Sequence, residues 1–201
     1  MPDHFDLLAP LYERVIRPPD AEALRSVLRL PPREAPCNDC WLLDAGGGTG
    51  RVAARLQPYV GHYVVCDVAH GMLLQSAQKG GLLPVRSRVQ RLPFADGAFH
   101  RIVVVDALHH FGDQEAAIDE LLRVLRPGGR LVIEEPDIGA RRVKLIALAE
   151  KLALMRSRFW SPEQIMAALR ARGCHPWMRR RDALTVWVGV DKPGPHLAES
   201  G

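Results

Sequence analysis

The residues best equipped for chemistry stand just past apolar runs. Leu42-Leu43 leads into Asp44-Ala45-Gly46-Gly47-Gly48-Thr49-Gly50, which reads as a buried strand, an acid and a glycine-dense turn. Without a Cβ, glycine lets backbone approach a ligand, and it supplies the positive φ angles that a sharp strand-to-helix turn needs. A second apolar run, Tyr63 to Cys66, ends at Asp67. A third, Arg101 to Val105, ends at Asp106 and is followed by His109 and His110, whose imidazoles exchange protons near neutral pH. After a fourth, Leu131 to Glu134, the acids Glu134, Glu135 and Asp137 could neutralise a cation or orient a hydroxyl.

The glycines alone leave the ligand open. Gly48-Thr49-Gly50-Arg51-Val52-Ala53 also fits the permissive G-x-G-x-x-A dinucleotide pattern, and a tight turn with no ligand has the same composition.

The elements that must position these residues follow from periodicity and caps. Asp20 caps a helix over Ala21 to Leu30, with Leu24, Val27 and Leu28 on one face and Pro31-Pro32 ending it; Phe5 to Ile16 is a second helical segment. Pro36 to Asp39 leads as a loop into a strand from Trp41 to Asp44. Arg51 to Gln57 reads as a helix closed by Pro58, Ala69 to Lys79 as a helix stopped by Gly80-Gly81, and Val85 to Val89 as a short strand. Asp113 caps a helix over Gln114 to Leu125, and Pro127-Gly128-Gly129 turns the chain into the strand Leu131 to Glu134. Ala140 to Met155 reads as an amphipathic helix, and Ser161-Pro162-Glu163-Gln164 opens another with a capping box. Trp177 to Arg179 and Ala183 to Val190 then form an antiparallel hairpin.

Such alternation predicts an α/β fold: a Rossmann-like, doubly wound sheet, mostly parallel, with helices on both faces and ligands at the carboxyl ends of the strands. The chain has 201 residues, 47% hydrophobic and 25% charged, enough for one domain with a sizeable core. No apolar run reaches the length of a membrane span, and the beginning lacks signal-peptide character, so a soluble cytoplasmic protein is expected. Four cysteines in a chain of this size favour reduced thiols, Cys37 and Cys40 included, although their spacing also suits a metal or redox pair. The net charge of +4 is mild, and the basic run Arg170 to Arg181 reads as a solvated face or a phosphate contact.

Four matches, in order, resemble the class I S-adenosylmethionine-dependent methyltransferases, in particular the type 11 group with the ubiquinone and menaquinone C-methyltransferases. They are Leu43 to Gly50; Val65-Cys66-Asp67-Val68 with Gly71-Met72-Leu73; Leu92-Pro93-Phe94 through Phe99 with Ala107-Leu108-His109-His110-Phe111; and Glu120 through Pro127-Gly128-Gly129 to Leu131. The resemblance implies a seven-stranded sheet ending in an antiparallel strand hairpin. With it, the single domain runs over 1–190, with an N-terminal helical lid (1–34) and a small cap segment (139–160), while the prolines and glycines of 191–201 read as a disordered tail.

The cofactor implied is S-adenosyl-L-methionine. Asp44 and the turn at Gly46, Gly48, Thr49 and Gly50 would hold its methionine portion and ribose, Asp67 would accept from both ribose hydroxyls, Met72 would pack against the adenine, and Val68 beside Asp67 would also contact the cofactor. Tyr12 lies in the segment that closes over the cofactor in this group. Members commonly carry an acid where this chain has Arg88, so adenine recognition would fall to the backbone at Val89 and Gln90.

Methyl transfer needs alignment and water exclusion rather than a metal. His110 is the first choice for a base or orienting group, with His109 and Asp106 as alternatives; the backbone of Asp106 would also meet the methionine moiety. A small, apolar or quinone-like acceptor is expected, since no nucleic-acid module is appended. An RNA or protein methyltransferase and a non-catalytic S-adenosylmethionine-binding protein are the alternatives. The oligomeric state stays open.

Overall fold

The structure, a computed structural model, describes residues 20–137 and 158–194. The expected helices Phe5 to Ile16 (with Tyr12) and Ala140 to Met155, and the bulk of the lid and cap segments, lie outside these residues. Of the tail expected over 191–201, Asp191 is instead the last residue of β7, and only 195–201 lies outside the described residues.

The described elements are α1 (Ala21–Leu28), β1 (Cys37–Ala45), α2 (Ala53–Leu56), β2 (Val60–Asp67), α3 (His70–Ala77), β3 (Leu82–Arg86), β4 (Phe99–Val105), α4 (Gln114–Val124), β5 (Leu125–Pro136), α5 (Pro162–Arg170), β6 (Trp177–Arg180) and β7 (Thr185–Asp191). One seven-stranded sheet runs in the order β3-β2-β1-β4-β5-β7-β6. The first five strands are parallel, while β7 enters antiparallel between β5 and β6. Buried parallel strands carry apolar residues on both faces. Accordingly Leu43, Ile102 and Leu131 pack under α4 and α5, and Leu42, Val103 and Val132 pack under α1 and α2. The strand order reverses between β1 and β4, which puts the crevice of a doubly wound sheet at their carboxyl ends.

Several boundaries depart from expectation. β3 begins at Leu82 and ends at Arg86, so Val89 is a loop residue. The helix after the glycine turn shrinks to Ala53–Leu56, and Pro58 sits within a 3-10 turn instead of closing a longer helix. Pro127-Gly128-Gly129 lies inside β5, where the pairing with β4 slips between Phe99↔Leu125 and Arg101↔Arg130 and Gly128 takes φ 75°.

Cys37 and Cys40 form a disulfide with Cα atoms 5.2 Å apart, which corrects the expectation of reduced thiols in a loop. They belong to the irregular first half of β1, whose register on β2 shifts between Cys37 and Trp41 and so folds the two ends of the C-x-x-C segment together. This bulge presses on β2 so closely that a Cβ at Gly61 would stand 1.5 Å from the Asn38 carbonyl oxygen.

Two arginines facing each other across β4 and β5 anchor α1. Arg101 Nε donates to Leu28 O and Arg130 Nη1 to Val27 O, both at 2.8 Å, which satisfies carbonyls at the negative end of the helix. Arg130 also forms a bidentate pair with Asp191, at 2.6 Å for each bond. Arg130 is buried, whereas Asp191 is half exposed and can turn to water, so the main loss on removing Arg130 is at the Val27 carbonyl and in packing. Arg130→Ala is therefore expected to lower unfolding free energy by about 2 kcal/mol in urea titrations, while Arg29→Ala, at an exposed side chain, changes it little.

Candidate functional site

A cavity of about 730 Å³ opens at the carboxyl ends of β1, β2 and β4, a volume suited to a nucleoside-sized ligand. It has two arms. Asp67, Val68, Met72, Ser87, Arg88, Val89 and Gln90 line one; Gly46, Asp106, Ala107, His110, Phe111, Gly112 and Asp113 line the other, and Gly48 lies on the wall as well.

The glycine turn builds the floor. A Cβ at Gly46 would come within 2.7 Å of Ala107 Cβ, and both Gly46 and Gly48 take positive φ. At Gly48 a Cβ would meet no protein atom closer than 3.9 Å, so the space over it is cavity rather than core. Gly50 has a different reason: its Cβ would stand 2.8 Å from Ser76 Oγ, a packing constraint away from the cavity wall. Thr49 is buried, and its carbonyl accepts from Lys79 Nζ.

Asp67 follows β2 because the strand ends there. Its Oδ2 accepts from the Gly48 amide and its Oδ1 from the Ala69 amide, each at 2.9 Å. The carboxylate thus locks the glycine turn to the start of α3 while keeping a face on the cavity. Carboxylate oxygens hold enough lone pairs to accept further bonds from a ligand.

Asp44 lies beneath the turn, not on the cavity wall. It is 1% exposed, and a Cβ on Gly47 would touch its carboxyl group. Its Oδ2 has no hydrogen-bond partner among the described residues. Burial, opposed by Arg51 and reinforced by Asp67, pushes this carboxyl from 3.8 up to about 7. The unfolded chain releases this proton first, so the contribution of Asp44 to stability falls as pH rises from about 4 to about 7, by about 4 kcal/mol in all, and is level above. Asp44→Asn is expected to flatten that decline in a series of unfolding titrations; an unaltered slope would show that the acid is not held neutral.

Asp106 takes the left-handed conformation, φ 51°, tolerated best by Asp and Asn among residues with a Cβ. It is held by its amide on Glu134 O and by an ion pair from Arg51 Nη2, each at 3.0 Å. Arg51 was not singled out in the sequence; its position directly after the glycine turn was the available signal.

His109 and His110 separate. A 3-10 turn over Leu108–His110 sends His110 to the cavity and buries His109 at 4% exposure. His109 Nδ1 meets Glu135 Oε2 at 2.6 Å, and its ring stacks on Phe159 with centroids 4.3 Å apart. This corrects the placement of His109 as a group facing the acceptor. Burial first, then neighbouring His109, pushes the His110 imidazole down to about 3. His110 therefore stays neutral through the working range, able to orient a substrate by hydrogen bonding but a poor proton acceptor.

The acids at the end of β5, Glu134 and Glu135, and Asp137 just after it are spoken for. Glu134 pairs with Arg181 at 2.6 Å and accepts from Trp187 Nε1, Asp137 pairs with Arg180 at 2.7 Å, and Glu135 holds His109. The same pairs, with Arg172 bound to Glu115 and Asp119, neutralise much of the basic run between Arg170 and Arg181. Three of the five arginines in that run, Arg172, Arg180 and Arg181, are thus engaged by carboxylates.

Gln90, with its amide oxygen turned toward them, accepts from the Gly112 and Asp113 amides at 3.2 Å and so ties the loop after β3 to the start of α4. Ser87 Oγ donates to Arg91 O at 2.8 Å, and the Arg91 amide donates to Arg88 O at 3.0 Å, so the Ser87–Arg91 turn is firmly shaped.

Comparison with known proteins agrees with this geometry. Residues 43–133 match the family model of the methyltransferase domain. A demethylmenaquinone methyltransferase from Beutenbergia cavernae is 38% identical over 95 residues, covering 47% of this chain and 40% of the relative, so the match spans less than half of that protein's length. Among solved structures, an S-adenosylmethionine-dependent methyltransferase from Thermotoga maritima, a possible histamine N-methyltransferase, superposes with a TM-score of 0.74 at 21% identity, covering 94% of this chain and 98% of that one. The geranyl diphosphate C-methyltransferase of Streptomyces coelicolor, crystallised with geranyl diphosphate and S-adenosyl-L-homocysteine, gives 0.70 at 15% identity, over 86% of this chain and 76% of that one.

Proposed function

We propose that this chain is a class I S-adenosylmethionine-dependent methyltransferase and that it transfers a methyl group to a small apolar or quinone-like acceptor. The observation that carries the reading is the cavity floored by Gly46 and Gly48 and walled by Asp67 and Met72 on one side and Asp106 and His110 on the other. The open space over Gly48 and the remaining acceptor capacity of Asp67 fit a ribose-bearing ligand. The name of the Beutenbergia relative supports a quinone-like acceptor.

When bound, S-adenosylmethionine supplies an electrophilic methyl group on a sulfonium, which becomes neutral on transfer. The protein's part is alignment and exclusion of water. Asp67 accepts from ribose hydroxyls, Val68 and Met72 pack against the base, and the Gly46–Gly48 backbone approaches the methionine portion. Asp106, fixed by Arg51, faces the same arm as His110. With His110 neutral, an acceptor already activated or ionised suits the site better than one needing a strong base.

Paired basic residues between Arg170 and Arg181 weigh against an RNA substrate. No described helix is long and apolar enough to cross a membrane. Calorimetric titration with S-adenosylhomocysteine tests cofactor binding, and transfer of a labelled methyl group into extracted quinones tests the acceptor. A saturable isotherm and organic-phase label are expected; no heat at millimolar ligand would overturn the reading.

A further inference from the structure

The cavity holds one charged group that the proposed reaction does not use. Arg88 lines the arm that also contains Asp67, Val68 and Met72, and its exposed guanidinium has no carboxylate partner among the described residues. The surrounding turn is fixed by Ser87 Oγ on Arg91 O and by the Arg91 amide on Arg88 O, so the side chain departs from a defined place. The acceptors close by are committed. Asp67 holds the Gly48 and Ala69 amides and keeps its remaining face for ribose; Asp113 Oδ1 caps α4 through the Ala116 amide; the Gln90 amide oxygen meets Gly112 and Asp113. The base end of the cavity therefore offers a fork of donors at Arg88, while the carboxylates of Asp67 and Asp113 already accept from backbone amides.

A guanidinium only donates. Adenine presents to it one ring acceptor beside an amino group that is itself a donor. A 6-oxopurine presents two adjacent acceptors, O6 and N7, which is the pattern an arginine meets bidentately. We propose that Arg88 sets base selectivity at this site, so that the pocket takes a 6-oxopurine nucleoside thioether about as readily as the adenine one. The proposal rests on the cofactor reading above: it concerns which base the pocket accepts, given that a nucleoside thioether binds.

Calorimetric titration of the full chain with S-adenosylhomocysteine and with its deaminated counterpart, S-inosylhomocysteine, provides the test. The two dissociation constants are expected to lie within fivefold of each other in the wild type. Arg88→Asp exchanges donors for acceptors and is expected to shift their ratio at least tenfold toward the adenine ligand, with folding checked by an unchanged unfolding midpoint. Arg88→Ala, which removes the donors alone, is expected to weaken the inosine ligand more than the adenosine one.

A wild-type preference for S-adenosylhomocysteine of fivefold or more overturns the proposal, as does a ratio that Arg88→Asp moves less than tenfold. Binding of neither ligand overturns the cofactor reading itself and this proposal with it. Tight, adenine-selective binding overturns this proposal alone.

Discussion

Asp67→Ala is expected to weaken S-adenosylhomocysteine binding by at least about 100-fold in calorimetric titrations. Two losses add. Hydrogen bonds from ligand hydroxyls to a charged acceptor are worth about 1.5–3 kcal/mol each. The Gly48 and Ala69 amides, which Asp67 holds at 2.9 Å, also lose their acceptor, so the turn and the start of α3 are no longer tied together. Asp67→Asn separates these effects. Its amide oxygen can keep one of the two backbone amides, but it no longer offers a charged pair of acceptors to the ribose, so binding should fall by about tenfold with little loss of stability. Binding in Asp67→Ala within fivefold of wild type would show that the ribose lies elsewhere.

Features governed by short-range rules were legible in the sequence. Asp20, Asp113 and Ser161 accept from amides three residues on, and Ser161 and Gln164 complete a capping box, because capping is fixed by spacing within a single turn. The cavity wall at Gly46, Gly48, Asp67, Met72, Asp106 and His110 was legible for a related reason: each follows closely on a strand of a doubly wound sheet, where ligands bind.

Features decided by distant partners were not legible. β3 starts before the expected Val85 because pairing with β2 makes a strand of Leu82-Leu83-Pro84, whose composition does not announce one. β5 begins at Leu125, ahead of the glycine turn, because β4 supplies Phe99 as a partner. The disulfide depends on a bulge that no composition rule announces. Two adjacent histidines look alike in sequence, and only the 3-10 turn assigns one to the core and one to the cavity. Asp44 shows how similar acids diverge: Asp67 reaches two amides and a cavity, whereas Asp44, also at the end of a strand, is sealed under Gly47 and pushed toward neutrality.

Glu135→Ala is expected to cost about 4 kcal/mol of stability, a large share of what a domain of this size possesses. Glu135 is 3% exposed and holds three donors at once: Oε1 accepts from the Ala107 and Leu108 amides at 3.0 and 2.8 Å, and Oε2 meets His109 Nδ1. Alanine would leave all three groups short of this acceptor in a site too enclosed for bulk water to compensate. The damage would reach the cavity, because Ala107 packs where a Cβ on Gly46 would sit and the same turn carries Asp106 and His110. Ligand affinity should therefore fall along with stability. Glu135→Gln keeps an oxygen for the two amides, and its amino group can donate to His109 Nδ1 once that imidazole carries its proton on the other nitrogen. Its expected cost is about 1 kcal/mol, with ligand binding near wild type. Equal losses in the two variants, measured by urea unfolding and by titration with S-adenosylhomocysteine, would show that the negative charge rather than the acceptor geometry fixes the turn. A loss under about 1 kcal/mol in Glu135→Ala would show that the turn is held by its packing on the glycine floor alone.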